Sequence, residues 1–150
     1  MTQSPVPAPV RTLSLPEFVA MLASLTATVA FSIDAMLPAL PEIAATLSPE
    51  DVNRAQLVLT VFVLGMGLGT FFVGPISDAI GRKRTITGGI VIYVVGALAA
   101  AWSHSLEMLL IARFVQGIGA SGPRIVPMAL VRDLYAGREM AKINSFIIML

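Results

Sequence analysis

The sequence predicts an all-α membrane protein, and three observations support that fold class. Of its 150 residues, 56% are hydrophobic and only 13% are charged, whereas a soluble domain carries about a quarter charged residues. Four apolar segments are each long enough to cross a bilayer, which needs about 20 residues of helix. Most of the basic residues lie in alternate short connections between the segments, as in multi-pass membrane proteins.

The predicted helices follow from apolar length and from capping residues. Ser14 precedes Glu17, and Ser48 precedes Asp51, by three residues, which is a pattern typical of a capped helix N-terminus. A fifth apolar segment runs to the end of the chain, so we interpret the chain as the front portion of a longer protein. Residues 14–150 are then a truncated membrane bundle, with helices over approximately 15–38, 49–77, 85–102, 106–131 and 140–150 onward.

Residues 1–13 are predicted to be a disordered cytoplasmic tail. Pro5, Pro7 and Pro9 lie there, and no periodic apolar face accompanies them. A cleaved signal peptide is the alternative, but the apolar segment after Arg11 is longer than the usual core of about 7–15 residues.

The basic residues predict the topology. They cluster in the tail and in the second and fourth connections, so the positive-inside rule places the N-terminus in the cytoplasm. The first segment then runs outward and the fourth runs inward, in a multi-pass protein of the cytoplasmic (inner) membrane. The residues concerned are Arg11, Arg82, Lys83, Arg84, Arg132, Arg138 and Lys142, against Arg54 alone in the outer connections.

Two opposite charges lie inside apolar segments. Asp34 is about four residues, or roughly 6 Å, inside the outer end of the first segment, and Arg113 is expected at a similar depth in the fourth. A charge that faces lipid at mid-membrane costs about 2.5–3.5 kcal/mol, so such groups nearly always face a cavity or a partner. Pro38 has no N–H for the carbonyl of Asp34, which weakens the helix there. A structural Asp34–Arg113 ion pair, or an aspartate wet at the interface, is the alternative to a functional site.

One face of the fourth segment is polar. At 100° per residue, Gln116, Gly117 and Arg124 return to within about 60° of Arg113. A face that pointed at lipid would not carry two guanidinium groups and an amide. This face is therefore predicted to point into the bundle.

The same segment contains GIGASG at residues 117–122, which matches the dinucleotide-binding pattern GxGxxG. That fold needs a helix after the glycines, which Pro123 and Pro127 would break. Instead, Gly117, Gly119 and Gly122 are predicted to let neighbouring helices approach closely. In transporters built from inverted three-helix repeats, helices 1 and 4 correspond, and paired interrupted helices indicate the binding site.

Other site classes have little support. The net charge of +1 argues against a nucleic-acid partner. The chain has no cysteine, and its one histidine, His104, has no second ligand nearby in the sequence. We therefore expect no cofactor, no metal site and no enzymatic activity.

The most specific pattern is GPISDAIGRKR at residues 74–84, between the second and third segments. With RFVQGIG at 113–119 and DAMLPALP at 34–41, it resembles the major facilitator superfamily. The branch that it resembles is the bicyclomycin/chloramphenicol-resistance-like group of drug:proton antiporters. The resemblance covers nearly all of residues 15–150 and implies a major-facilitator-type bundle, with four complete transmembrane helices and the start of a fifth.

The resemblance implies a cytoplasmic gate. Asp78 matches an aspartate that in the family lies against a helix N-terminus of the other half, where the helix dipole favours an anion. Gly74 matches a glycine that lets two helices approach, and Arg82 matches an arginine that pairs with acids. Ala79 departs from the basic residue that the family often has there, and a simple positive-inside clamp is the alternative. The predicted gate residues are Gly74, Asp78, Gly81, Arg82, Lys83, Arg84 and, as a partner of Arg82, Asp133.

For function, the resemblance implies proton-coupled export of small lipophilic or cationic drug-like solutes by alternating access. Arg113 matches an arginine linked with proton coupling, and Asp34 an acid linked with substrate and proton binding. Gln116 and Arg124 complete the predicted coupling set, although Arg124 has no counterpart in the family pattern. The expected partners are the solute, protons, the lipid bilayer and a C-terminal half of the same transporter. An importer of a sugar or metabolite, and a membrane sensor or assembly module without transport, are the alternatives.

Overall fold

The computed structural model describes residues 14–134 together with Ile143 and Ser145. Within these residues all regular structure is helical, which confirms the all-α class. The predicted tail and most of the fifth segment lie outside the described residues. Two short 3₁₀ turns, Leu37–Ala39 and Val52–Gln56, separate five helices: α1 (Leu15–Asp34), α2 (Leu40–Leu47), α3 (Leu57–Ile80), α4 (Arg82–Ala101) and α5 (Leu106–Leu134).

Three helical segments of the described part are long and apolar enough to cross a membrane. They are Pro16–Leu47, Val52–Ile80 and Arg82–Ala101, with hydropathies of 1.7, 2.2 and 1.6. Helix α5 has 29 residues, which is ample length, but its arginines, glutamine and glycines lower its mean hydropathy. A fourth membrane span at α5 therefore stays a prediction.

The first segment breaks earlier than its predicted end at residue 38. Helix α1 ends at Asp34, and regular α-helix resumes only at Leu40. In between, the Met36 N–H donates to the Ile33 carbonyl at 3.2 Å, which is the tighter 3₁₀ pattern. Because Pro38 cannot donate to the carbonyl of Asp34, the weakness predicted at that residue is present as a break.

The predicted start of the second helix at residue 49 is also wrong. The Ser48 hydroxyl donates to the Asp51 carbonyl at 2.7 Å and closes a turn. Asp51 is the residue that caps, since its carboxylate accepts from the Asn53 N–H at 3.1 Å. That cap starts a 3₁₀ turn, so α3 begins only at Leu57.

The remaining helix ends lie close to the prediction. The Glu17 carboxylate accepts from both the N–H of Ser14, at 2.9 Å, and its hydroxyl, at 2.8 Å. Helix α1 therefore begins at residue 15, as the capping pattern predicts. Helix α5 continues three residues beyond its predicted end, to Leu134.

Helix α5 is the centre of the bundle. Helices α3 and α4 both pack along it but barely contact each other, and α1 has a smaller contact with it. A central cluster of buried side chains joins α1, α3 and α5 through Val29, Phe62, Met66 and Ala120. A second cluster joins α1, α5 and Ile143 at one end, through Phe18, Leu22 and Val131.

Glycines bring the helix backbones together on both sides of α5. A Cβ atom at Gly117 would overlap the Phe62 carbonyl of α3, and one at Gly65 of α3 would overlap the Phe114 carbonyl of α5. On the other side, a Cβ at Gly119 would lie 2.8 Å from the Gly89 carbonyl of α4. A Cβ at Gly122 would lie 3.3 Å from the Thr85 carbonyl of α4, which is a tight contact rather than an overlap. The close approach predicted at these glycines is present at Gly117 and Gly119, and Gly122 packs less tightly against α4.

We expect Gly117→Ala to destabilise the bundle, because the added methyl group meets backbone atoms that cannot move independently. Overpacking of this kind costs about 1–3 kcal/mol. Gly67→Ala is the matched control, since a Cβ at Gly67 meets nothing within 4 Å and alanine favours the helix by about 1 kcal/mol. Thermal unfolding of the full-length protein in detergent compares the two. Equal melting temperatures would contradict the packing described here.

Candidate functional site

A cavity of about 430 Å³ lies between α1, α2, α4 and α5. Its walls are mostly alanine, leucine and methionine side chains, which suit an apolar solute. A few polar groups converge in it: Ser32, Tyr93, Ser103, Arg113 and Gln116. The predicted polar face of α5 therefore supplies two of the five.

Two buried polar atoms of α5 have no hydrogen-bond partner in the described part of the chain. They are Nε of Arg113 and Oε1 of Gln116. Gln116 is only 4% exposed. A buried polar atom without a partner costs about 1–3 kcal/mol, so native proteins rarely leave one unless a ligand or water takes it. The two atoms belong to neighbouring residues of one helix face and offer one donor and one acceptor.

Three further polar residues of the cavity, Ser32, Tyr93 and Ser103, were not predicted from the sequence. The hydroxyls of Ser32 on α1 and Tyr93 on α4 are hydrogen-bonded to each other. The Ser32 hydroxyl has one proton, which can go to Tyr93 or to the Thr28 carbonyl at 3.0 Å. The tyrosine oxygen keeps lone pairs for an occupant of the cavity. A tyrosine in mid-segment was the available signal, since a buried phenol usually has a partner.

Asp34 is exposed and is not among the residues that line this cavity. It follows Ser32 by two residues, or about 200° around the helix axis. In the described part of the chain, both ion pairs belong to Arg82. The structural Asp34–Arg113 ion pair, an alternative left open by the sequence, is therefore not formed here.

Arg124 also lies away from the cavity. Its guanidinium is exposed, and Nη1 donates to the Met66 sulfur at 3.3 Å. Thioether sulfur is a weak acceptor. The polar face of α5 thus points inward at Arg113 and Gln116 but reaches the surface at Arg124.

A second polar cluster joins the ends of α3, α4 and α5. The Nη2 atom of Arg82 lies 2.9 Å from the Asp78 carboxylate and 2.9 Å from the Asp133 carboxylate. Its Nε donates to Asp133 at 3.1 Å, and its Nη1 donates to the Ser77 hydroxyl at 2.9 Å. The contact of Arg82 with Asp133 that the resemblance suggested is present. One side chain therefore ties three helices together.

Gly81 makes this cluster possible. Its φ of +94° lies where residues with a Cβ are strained, and it is the single residue between α3 and α4. The sharp turn brings Arg82 back beside Asp78. Lys83 and Arg84, which follow, are exposed.

Gly74 does not contact another helix in the described part of the chain. A Cβ there would meet nothing within 4 Å, so the close approach expected at this glycine is not made by α1–α5. Gly74 instead lines an open groove of about 300 Å³ with Asp78, Arg82 and Arg132. The Asp78 side chain is 68% exposed, so one side of its carboxylate faces that groove.

These features agree with the comparison to known proteins. The family profile described as Major Facilitator Superfamily matches residues 22–150. The chain belongs to this family. The match contains the whole cavity and the whole Arg82 cluster.

Several relatives are similar over most of the chain. A chloramphenicol resistance protein of Pseudomonas aeruginosa is 35% identical over 130 residues, covering 87% of this chain and 31% of the relative. A bicyclomycin resistance protein homolog of Haemophilus influenzae is 36% identical over 132 residues, covering 87% and 32%. An uncharacterized MFS-type transporter of Bacillus subtilis, YdgK, is 38% identical over 119 residues, covering 79% and 29%. The chain spans about a third of the length of these curated relatives.

We expect Arg82 and Asp133 to stabilise the bundle jointly. The pair is partly exposed, with side chains 23% and 44% accessible, so a double-mutant cycle of Arg82→Gln and Asp133→Asn should show a coupling of about 0.5–1 kcal/mol. The same cycle with Lys83→Gln should be additive, because exposed Lys83 forms no ion pair within residues 14–134. Unfolding of the full-length protein in detergent measures both. Additive effects in the Arg82 cycle would contradict the bridge.

Proposed function

We propose that the full-length protein is a proton-coupled secondary transporter, rather than an enzyme, and that it exports small lipophilic or cationic solutes by alternating access. One observation carries the proposal: Arg113 and Gln116, which each have a buried polar atom without a partner in the described part of the chain, line a largely apolar cavity of about 430 Å³. A cavity with apolar walls and few polar groups suits a lipophilic solute. Arg113 itself disfavours a cation in the same cavity, so a cationic solute needs an acid nearby.

Asp34 is the acid that we propose for this role. It ends α1, next to the part of the first segment whose Ala35 and Met36 line the cavity. A proton or a cationic solute would each neutralise its carboxylate, so the two compete for it. The break after Asp34 offers a place where the segment can bend during transport.

We propose that the Arg82 cluster is the gate that couples such bending to opening on the inner side. Arg82 holds α3 and α5 together through two carboxylates. The groove beside Gly74 and exposed Asp78 has room for a helix of the C-terminal half. The N-terminus of that helix, with its positive end of the helix dipole, would be attracted to the Asp78 carboxylate. The N-terminal and C-terminal halves could then separate on the inner side only when the contact between Asp78 and that helix breaks.

The direction of transport and the orientation in the membrane are also part of the proposal. Two relatives carry resistance names, which supports export over import. The basic residues support a cytoplasmic N-terminus in the inner membrane. We propose that the solute binds between the apolar helices of this chain and the C-terminal half of the same protein.

Reconstitution of the full-length protein into liposomes tests the proposal. We expect chloramphenicol or a lipophilic cation to be transported against its gradient when a pH gradient is imposed, and transport to collapse on addition of an uncoupler. Transport that persists with the uncoupler present, and without another ion gradient, would contradict proton coupling. Solute movement that follows the proton flux in the same direction would instead indicate an importer, and no movement at all would favour the sensor or assembly role.

Asp34→Asn should remove the competition between proton and solute. We expect the affinity of the wild-type protein for a lipophilic cation to fall as the pH falls, because the protonated carboxyl no longer attracts the cation. In Asp34→Asn this affinity should be weaker and independent of pH, and affinity for a neutral solute should change little. Glu42→Gln is the matched control, since Glu42 is an exposed acid on the following helix α2. Equilibrium binding to the purified full-length protein measures all three.

Wild-type pH dependence in Asp34→Asn would remove Asp34 from the proposed site. The same loss in Glu42→Gln would show that the effect is one of overall surface charge.

A further inference from the structure

An apolar crevice separates α3 from α4. These helices both pack on α5 but scarcely on each other, which leaves a cavity of about 420 Å³ between them. Leu68, Phe72, Ile76 and Ile80 of α3 form one wall, and Phe114 and Ile118 of α5 form the floor. Gly88 and Gly89 keep the α4 wall shallow. The four α3 residues are each at least 44% exposed, so the crevice is open along its α3 wall.

The crevice has the length of one membrane leaflet. Its α4 wall extends from Arg84 to Ile92 and its α3 wall from Leu68 to Ile80, which are about 12 Å and about 18 Å long at 1.5 Å per residue. Half of a hydrocarbon core of about 30 Å is about 15 Å. A single extended acyl chain of one leaflet therefore matches the crevice in length and in character.

Basic side chains stand at one end of the crevice only. Arg84 lines it, and exposed Lys83 and Arg84 line a shallower depression beside it. Arg82 already forms ion pairs with Asp78 and Asp133. Within residues 14–134 neither Lys83 nor Arg84 forms an ion pair, so both cations remain for an anion at the membrane surface.

The deep part of the crevice offers nothing to a polar solute. Thr85 is the one neutral polar side chain among the lining residues, and its hydroxyl already donates to the Gly81 carbonyl at 3.1 Å. A drug-like molecule would leave its hydrogen-bonding groups unpaired there. A lipid places its charged group outside and only methylene groups inside.

We propose that this crevice is a binding site for an anionic phospholipid, with an acyl chain between α3 and α4 and the phosphate at Lys83 and Arg84. Basic groups at a membrane surface attract anionic lipids at about 1 kcal/mol each, or about fivefold in affinity. The site is separate from the Arg113 cavity, and it needs only that α3 and α4 cross the membrane. The lipid site can therefore be tested whether or not the protein performs the proposed transport.

Tryptophan quenching by brominated lipids tests the site in the full-length protein, reconstituted after other tryptophans, including Trp102, are replaced by phenylalanine. Phe72→Trp places the reporter in the crevice. Phe71→Trp is the matched control, because Phe71 is 78% exposed at nearly the same depth but outside the crevice. We expect brominated phosphatidylglycerol to be preferred over brominated phosphatidylcholine about 25-fold at Phe72→Trp, because two cations each contribute about fivefold, and we expect no preference at Phe71→Trp.

Two further substitutions separate the headgroup from the chain. Arg84→Gln should lower the preference at Phe72→Trp about fivefold, because it removes one of the two cations. Gly88→Leu should abolish it by filling the crevice, and it should fold, because a Cβ at Gly88 meets nothing within 4 Å. Gly67→Leu is the matched control for bulk, since Gly67 has the same open space outside the crevice.

Three results would overturn the site. Equal preference at Phe71→Trp and Phe72→Trp would show general attraction of anionic lipid. A preference that Arg84→Gln does not reduce, or that survives Gly88→Leu, would show that the lipid does not bind at these residues. Absence of quenching by either lipid at Phe72→Trp would show that other parts of the protein, and not lipid, cover the crevice.

Discussion

The close approach of α5 to α3 and α4 is the contact on which the rest of the structure depends. Gly65 and Gly117 let α3 and α5 meet backbone to backbone, and Gly89 and Gly119 do the same for α4 and α5. In a membrane, apolar side chains gain little by moving from lipid to protein, so such close packing has to supply much of the association. Helix α5 is thereby held from both sides.

That packing also positions the polar atoms of the cavity. A Cβ at Gly96 of α4 would lie 2.7 Å from the backbone N of Gln116, so the two helices touch at the residue that carries the unpartnered amide oxygen. Gln116 and Arg113 are consequently held on a rigid segment rather than on a loop. The rigid side of the cavity is α5, whereas the opposite side is the broken first segment, where Asp34 ends α1. A rigid wall that faces a wall able to bend is an arrangement suited to a site that changes its affinity between two states.

Sequence patterns predicted the features that depend on residue type and spacing. The glycine spacing predicted close packing on α5, and the resemblance to the major facilitator superfamily suggested Asp133 as a partner of Arg82. Helix ends were predicted less well. Ser48 was expected to cap a helix, but Asp51 forms the cap, because several short polar residues in one loop compete for the same backbone donors.

Rotation about the helix axis was the other quantity that the sequence left open. Asp34 and Arg113 were assigned to one level, but which face of α1 meets α5 depends on packing that involves α3 and α4 as well. The Ser32–Tyr93 hydrogen bond escaped notice for a related reason. Hydroxyl groups are common in apolar segments, where they bond to their own helix, and only the fold shows which of them meet across helices.

Proton release on solute binding is the measurement that tests the central claim most directly. Purified full-length protein in weakly buffered detergent solution would be mixed with a lipophilic cation while the pH is recorded. The account predicts that binding releases protons in proportion to the sites occupied, since solute and proton compete for one acid. Saturable binding of the cation without proton release, across the pH range in which transport is observed, would contradict it.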